Sequence, residues 1–91
     1  MKALNEYVNE MNRWESYTTK TPNYTFPLSQ KMVDKIAYSL DTDLSPENLH
    51  CDGEISMSEA NQKYRFYERV YRDLEKYCLK NWLNTPEIYE L

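Results

Sequence analysis

Residues 56–83 read SMSEANQKYRFYERVYRDLEKYCLKNWL, and this stretch decides the fold. Its apolar residues recur in alternating steps of three and four, which places them on one side of an α-helix. These seam positions are Met57, Ala60, Tyr64, Tyr67, Tyr71, Leu74 and Cys78. Phe66, Val70 and Tyr77 widen the apolar face on one side, and Trp82 widens it on the other. The pattern therefore predicts one long amphipathic helix over this stretch.

Two interpretations of the seam follow from the length of this helix. At 1.5 Å per residue it measures about 42 Å, whereas a compact domain of this size has a diameter of about 31 Å. The helix must then overhang, bend, or be covered along its length by the rest of the chain. The first interpretation, which we favour, is a core helix covered by the same chain. The second is a coiled-coil seam that joins two copies in a homodimer through the long helix.

Two shorter helices are predicted before it. Residues 2–16 carry apolar side chains at helical spacing, which predicts the first helix. A second helix is predicted to begin after Ser29 or Thr25, either of which could cap it, and to end at about residue 41. The apolar positions are Leu4, Tyr7, Val8, Met11 and Trp14 in the first helix and Met32, Val33, Ile36, Ala37 and Leu40 in the second. Between them, SYTTKTPNYTFP (residues 16–27) contains two prolines and predicts an extended loop.

Serine or threonine followed by proline and glutamate marks two further helix starts. Ser45 begins Ser-Pro-Glu, and Thr85 begins Thr-Pro-Glu near the C-terminus, so each could cap a short helix. The resulting expectation is an all-α small helical bundle. Two mid-length helices pack on one long C-terminal helix, the turns are short and capped, and residues 1–91 form a single domain.

The composition limits the class of protein to which this chain can belong. Of the 91 residues, 41% are hydrophobic and 29% charged, which is typical of a globular protein. No apolar run approaches the length of a membrane helix, about 20 residues, and MKALNEYVNEMNRW lacks the apolar region of a signal peptide. We therefore expect a cytoplasmic protein that does not enter a membrane and whose cysteines, Cys51 and Cys78, are free thiols.

Catalytic and cofactor motifs are missing from the sequence. With one glycine, the chain cannot form a P-loop or a GxGxxG loop. The single histidine, His50, lies beside Cys51 in sequence, which is not how a Cys–His catalytic pair is usually built, and no CxxC pair exists for structural zinc. We therefore expect a protein that is not an enzyme and that holds no cofactor.

The segment NLHCDGEISMSE, residues 48–59, allows two interpretations. Aligned with an EF-hand calcium loop, it offers oxygen ligands and a glycine turn, with Asn48, Asp52, Glu54 and Glu59 as the candidate calcium ligands. His50 is a poor ligand for calcium, however, and Ser45-Pro46 interrupts the helix that should enter the loop. We favour a turn at Gly53 followed by a capping box of Ser56 and Glu59.

Charge is distributed unevenly along the chain. Residues 41–59 contain Asp41, Asp43, Glu47, Asp52, Glu54 and Glu59 but no lysine or arginine. On the long helix, five basic residues share the solvent face opposite the seam, and we call them the basic stripe: Arg65, Arg69, Arg72, Lys76 and Lys80. Neighbouring acids predict the ion pairs Glu68–Arg72 and Arg69–Asp73 on this face.

Nine tyrosines favour a protein that acts through its surface, because a tyrosine ring suits half-exposed interfaces. Tyr24, Tyr38 and Tyr89 have no obvious place in the helical core. We expect these three residues to contact a host or self protein, together with Asp41, Asp43, Glu47, Asp52 and Glu54.

Two other functions remain open. The acidic segment could mimic the phosphates of DNA, and the basic stripe could bind nucleic acid. The sequence pI of about 4.9 argues against nucleic-acid binding.

The stretch LSPENLHCDGEIS, residues 44–56, resembles a segment of short, uncharacterised proteins of tailed bacteriophages. The resemblance implies a phage-encoded accessory protein, present in the host cytoplasm, that modulates or inhibits a host protein. It implies no catalytic residue.

Overall fold

The computed structural model describes residues 1–19, 24–45 and 57–88, with the side chains of 14–19 outside that description. It contains the helices α1 (Lys2–Thr19), α2 (Gln30–Asp43) and α3 (Met57–Lys80). The predicted all-α class is confirmed, since these helices form a small bundle. The predicted helix after Ser45 and the turn at Gly53 lie outside the described residues, as does the capping role of Ser56.

The long helix α3 is the centre of the bundle, and both α1 and α2 pack against it. Its Val70, Leu74 and Cys78 are completely buried, and Tyr77 is almost so. Burying a side chain of leucine size stabilises the fold by about 1.5–3 kcal/mol. The seam is therefore filled by the same chain, as the core-helix interpretation predicts.

The two ends of the predicted seam differ from the expectation. Met57 is 69% exposed and Trp82 is 96% exposed, so neither belongs to the core. Tyr64, Tyr67 and Tyr71 are half-buried. Leu74, Cys78 and Ala60 are already covered, so these positions are not available to a second chain in a coiled coil.

Helix α1 presents the face that its sequence predicts. Leu4, Tyr7 and Val8 are buried, and Met11 packs at the edge of the core. The helix continues to Thr19, three residues beyond the predicted end. At its start, the backbone N–H of Leu4 donates a hydrogen bond to Asp73 Oδ2 of α3 at 3.2 Å. A carboxylate of another helix thus satisfies a backbone donor that the first turn leaves without a helical partner.

Helix α2 begins at the predicted cap. Ser29 has extended backbone angles, and its side chain accepts a hydrogen bond from the N–H of Met32. Val33, Ile36, Ala37 and Leu40 are buried, which confirms the predicted apolar face. In the loop before it, Leu28 is buried and its N–H donates to the Tyr77 hydroxyl oxygen at 2.7 Å.

The predicted final helix is wrong for the residues described, because residues 83–88 have no regular secondary structure. This tail packs on the bundle instead. Asn84 exchanges two hydrogen bonds with the side chain of Gln30, one donated in each direction, at 2.8 and 2.9 Å. The Tyr71 hydroxyl donates to the Pro86 carbonyl at 2.8 Å, and Ile88 is buried. These tertiary contacts provide hydrogen bonds that a helix would otherwise have supplied.

Candidate partner-binding surface

The basic stripe lies on α3 as predicted, with all five of its residues exposed. Glu68 and Arg72 form the predicted ion pair, with 2.7 Å between Arg72 Nη2 and Glu68 Oε1. The predicted Arg69–Asp73 pair does not form, and Asp73 accepts a hydrogen bond from the Leu4 N–H. The stripe extends about 22 Å from Arg65 to Lys80.

A shallow groove opens where the first turn of α1 meets α3, and it brings Lys2 alongside the basic stripe. We call it the α1–α3 groove. Its lining consists of Lys2, Ala3, Glu6, Phe66, Arg69, Arg72, Asp73 and Lys76. Four of these side chains are basic and two are acidic, so the groove carries an excess of positive charge although the whole chain has a formal charge of −4.

Two large apolar side chains stand exposed at the C-terminal end of α3. Leu79 is 83% exposed and Trp82 is 96% exposed. Leu79 follows Lys76 by three residues and Arg72 by seven, which places it on the same helix face as the basic stripe. We call Leu79 and Trp82 the apolar tip. Basic and apolar contacts are therefore continuous along this face of α3.

The backbone of Trp82 is held in the left-handed region, with φ at 61°. The Leu83 N–H donates to the Cys78 carbonyl at 2.9 Å, which is the bond that closes a Schellman motif around Trp82. Glycine or asparagine normally fills this position, since the left-handed conformation costs other residues about 1–2 kcal/mol. Of the aromatic side chains that the structure describes, the most exposed one thus lies where a small residue would stabilise the helix end better.

The three tyrosines expected at a partner surface have different positions. Tyr24 is 4% exposed and joins the core, so the expectation that it has no core role is wrong. Its backbone is bound on both sides by the Asn12 side chain, at 2.7 and 2.9 Å. Tyr38 is 77% exposed on α2. Tyr89 lies outside the described residues.

Tyr38 borders a second shallow groove, between α1 and α2. Lys31, Asp34 and Lys35 line it together with Tyr38, and Met11 contributes apolar surface. The charges here are mixed, with two lysines and one aspartate. This groove therefore has a smaller charge excess than the α1–α3 groove.

Asp43 serves an internal hydrogen-bond cluster. The Tyr7 hydroxyl donates to Asp43 Oδ2 at 2.6 Å and lies 2.8 Å from Ser39 Oγ. Burial, followed by the hydrogen bond to Asp43, raises the pKa of Tyr7 well above its ordinary value. The neutral tyrosine and the aspartate thus hold α1 against α2, so one oxygen of this half-buried carboxylate is already engaged inside the protein.

The remaining acidic candidates lie largely outside the description. Glu47, Asn48, Asp52 and Glu54 are in the part of the chain left undescribed, so calcium binding stays an untested prediction. Glu59 lies in the first turn of α3, where a carboxylate favours the helix dipole. Asp41 is half-buried near the end of α2. Within the described ranges, no three His, Cys, Asp or Glu side chains are grouped to hold a metal ion.

Sequence reasoning missed Lys2, Leu79 and Trp82 as surface candidates. Leu79 carried a usable signal, because it falls on the basic side of the helical wheel and not on the seam. Trp82 could have been found from its position just beyond the helix, where the chain must turn. Lys2 had no such signal, because its position beside Arg69 depends on how α1 packs against α3.

No protein-family model, curated protein or solved structure is significantly similar to this chain. Among the helices described, none combines the length and the apolar character needed to cross a bilayer.

Proposed function

We propose that this protein is a small non-catalytic binding module that attaches to another protein through the apolar tip and the basic stripe of α3. The observation that carries the proposal is Trp82. Its side chain is 96% exposed, and its backbone is in a conformation that tryptophan adopts only at a cost in stability. Strained residues that persist in a fold cluster at functional sites.

The composition of the surface supports a protein partner. Tryptophan and arginine are the residue types most enriched among the contacts that dominate interface energies. Trp82 and Leu79 would supply apolar area, while Arg72 and Lys76 beside them would supply charged hydrogen bonds. The notion of a phage-encoded modulator or inhibitor of a host protein rests on the resemblance of residues 44–56 and stays a prediction.

The proposal is tested by photo-crosslinking in cells of the source organism. A benzophenone amino acid replaces Trp82 in one variant and Tyr38 in another, since both are exposed aromatic residues, one just after α3 and the other on α2. We expect a protein adduct at position 82 that excess native protein suppresses and the Trp82→Asn variant does not suppress. Position 38 serves as the matched control for non-specific labelling.

Two results would contradict the proposal. An absence of suppressible adducts at position 82 would remove the apolar tip as a contact. Suppressible adducts at position 38 alone would move the binding surface to the groove between α1 and α2, which Tyr38 borders.

A further inference from the structure

The α1–α3 groove has a basic rim and an apolar floor. The floor is formed by Ala3 and Phe66, which are half-buried, and Lys2, Arg69 and Lys76 stand around it. Arg72 is paired with Glu68, and Asp73 is bound to the Leu4 amide. Lys2, Arg69 and Lys76 form no ion pair within the described ranges, so their charges face solvent.

We propose that the α1–α3 groove binds an acidic peptide segment of the partner, with carboxylates on Lys2, Arg69 and Lys76 and an apolar side chain on the floor at Ala3 and Phe66. The inference rests on the proposed function and names the chemistry of its partner. Charge complementarity carries it, because the groove has four basic against two acidic side chains within a net-negative protein.

The apolar tip distinguishes a peptide from nucleic acid as the occupant. Leu79 is 83% exposed on the same face, and an apolar pocket, which a folded or helical polypeptide can offer, would remove it from water. Phosphates would in addition meet Glu68 and Glu75 beside the basic stripe, whereas a polypeptide can place lysine or arginine opposite them. Both features favour a polypeptide.

The geometry sets the length of the segment. From Phe66 to the end of α3 at Lys80, next to the apolar tip, the helix rises about 21 Å, a distance that about six or seven extended residues span. One segment can therefore occupy the groove and reach the apolar tip. Its carboxylates would lie on exposed lysine and arginine side chains, so binding should weaken as salt is added.

The experiment is a selection of random peptides, displayed on a surface, on the immobilised full chain. The test variant is Arg69→Glu/Lys76→Glu, and the control variant Lys31→Glu/Lys35→Glu makes the same change in net charge on exposed residues of α2. Circular dichroism checks that both variants remain helical. We expect the selected peptides to be rich in Asp and Glu, to contain apolar residues, and to bind the test variant at least about tenfold more weakly than the control variant.

A second measurement separates this inference from the proposed function. In a Trp14→Phe background, Trp82 is the single tryptophan, and its emission shifts to shorter wavelength if a bound peptide covers it. If the binding of the peptides depends on Arg69 and Lys76 but leaves the emission of Trp82 unchanged, the groove is supported as a peptide-binding site. The same result would contradict a contact at the apolar tip.

Three results would overturn the groove inference. One is a selected set without an excess of acidic residues. Another is equal loss of binding in the test and control variants. The third is tighter binding of a single-stranded oligonucleotide than of any selected peptide, which would assign the surface to nucleic acid.

Discussion

At the scale of single residues, Trp82 and Tyr7 show opposite uses of an aromatic side chain. Trp82 is 96% exposed and sits in a strained backbone conformation. Tyr7 is 3% exposed, and its hydroxyl is satisfied by Asp43 and Ser39. The first therefore lowers the stability of the isolated protein, and the second raises it.

Replacing Trp82 by asparagine should stabilise the protein by about 1 kcal/mol, because asparagine tolerates the left-handed region. Trp82→Ala is the matched control, since alanine removes the exposed ring but keeps the Cβ that makes this conformation costly. Urea unfolding measures both. Equal stability of the two variants would show that the φ of 61° is not a source of strain.

Replacing Tyr7 by phenylalanine should lower stability near neutral pH by about 1.5–3 kcal/mol, the usual range for a hydrogen bond to a charged group. Folding raises the pKa of Tyr7, so the protonated hydroxyl stabilises the native state. This contribution is complete below the ordinary tyrosine pKa of 10.0 and is lost as pH rises above it towards the raised value.

The difference between the native protein and Tyr7→Phe should therefore shrink between about pH 9 and about pH 11. Urea unfolding at both values measures it. Tyr38→Phe is the control, because its ring is 77% exposed, and it should change stability at neither pH. A constant difference across this range would contradict the assignment.

At the scale of helices, three of the described helix ends are completed in different ways. Ser29 caps α2 with its own side chain, the Schellman bond closes α3, and Asp73 of α3 binds the first turn of α1. Local sequence predicts the Ser29 cap, since serine just before an apolar periodic run is a recognised start signal. Asp73 has no such signature, because its partner is 69 positions away in the chain.

Asp73→Ala should lower stability by about 1 kcal/mol, in the range measured for the loss of a helix-capping acceptor. Glu75→Ala is the control on the same helix, with an exposed carboxylate, and should have almost no effect. Urea unfolding measures the stability, and amide hydrogen exchange at Leu4 reports the first turn of α1 directly. Unchanged exchange at Leu4 in Asp73→Ala would contradict the role of this carboxylate.

At the scale of the whole molecule, the tail completes the bundle. It is held by the Gln30–Asn84 exchange, by the Tyr71–Pro86 hydrogen bond and by the buried Ile88. The molecule measures 38 × 30 × 21 Å, so α3, about 36 Å long, extends along nearly its whole length.

The Cys78 thiol should report whether the tail is in place. Cys78 is free and fully buried, and burial raises its pKa, so the reactive thiolate is scarce. In a Cys51→Ser background, a thiol reagent should modify Cys78 only as fast as the protein unfolds. Ile88→Asp should release the tail and accelerate the modification.

Thr42→Asp adds the same charge at an exposed position of α2 and is the control. Equal modification rates in Ile88→Asp and Thr42→Asp would show that the tail does not protect the thiol.

The sequence by itself determined the helices, because helical periodicity and capping act within a few residues along the chain. The all-α class, the buried faces of α1 and α2, the Ser29 cap and the exposure of the basic stripe were all predicted from it. Over residues 83–88 the predicted final helix is absent because of tertiary contacts: Gln30 and Tyr71 bind the backbone of the tail, so its Thr-Pro-Glu start signal is overridden.

Only the tertiary structure decided how residues distant in sequence are placed relative to one another. Packing buried Tyr24, engaged Asp43 with Tyr7, and brought Lys2 to Arg69 across 67 positions of sequence. These contacts depend on how the helices pack against one another, and the local sequence pattern of a helix does not determine that packing. Trp82 depends on both. The sequence determines that it follows the long helix, but its exposure is decided by where the packed core ends.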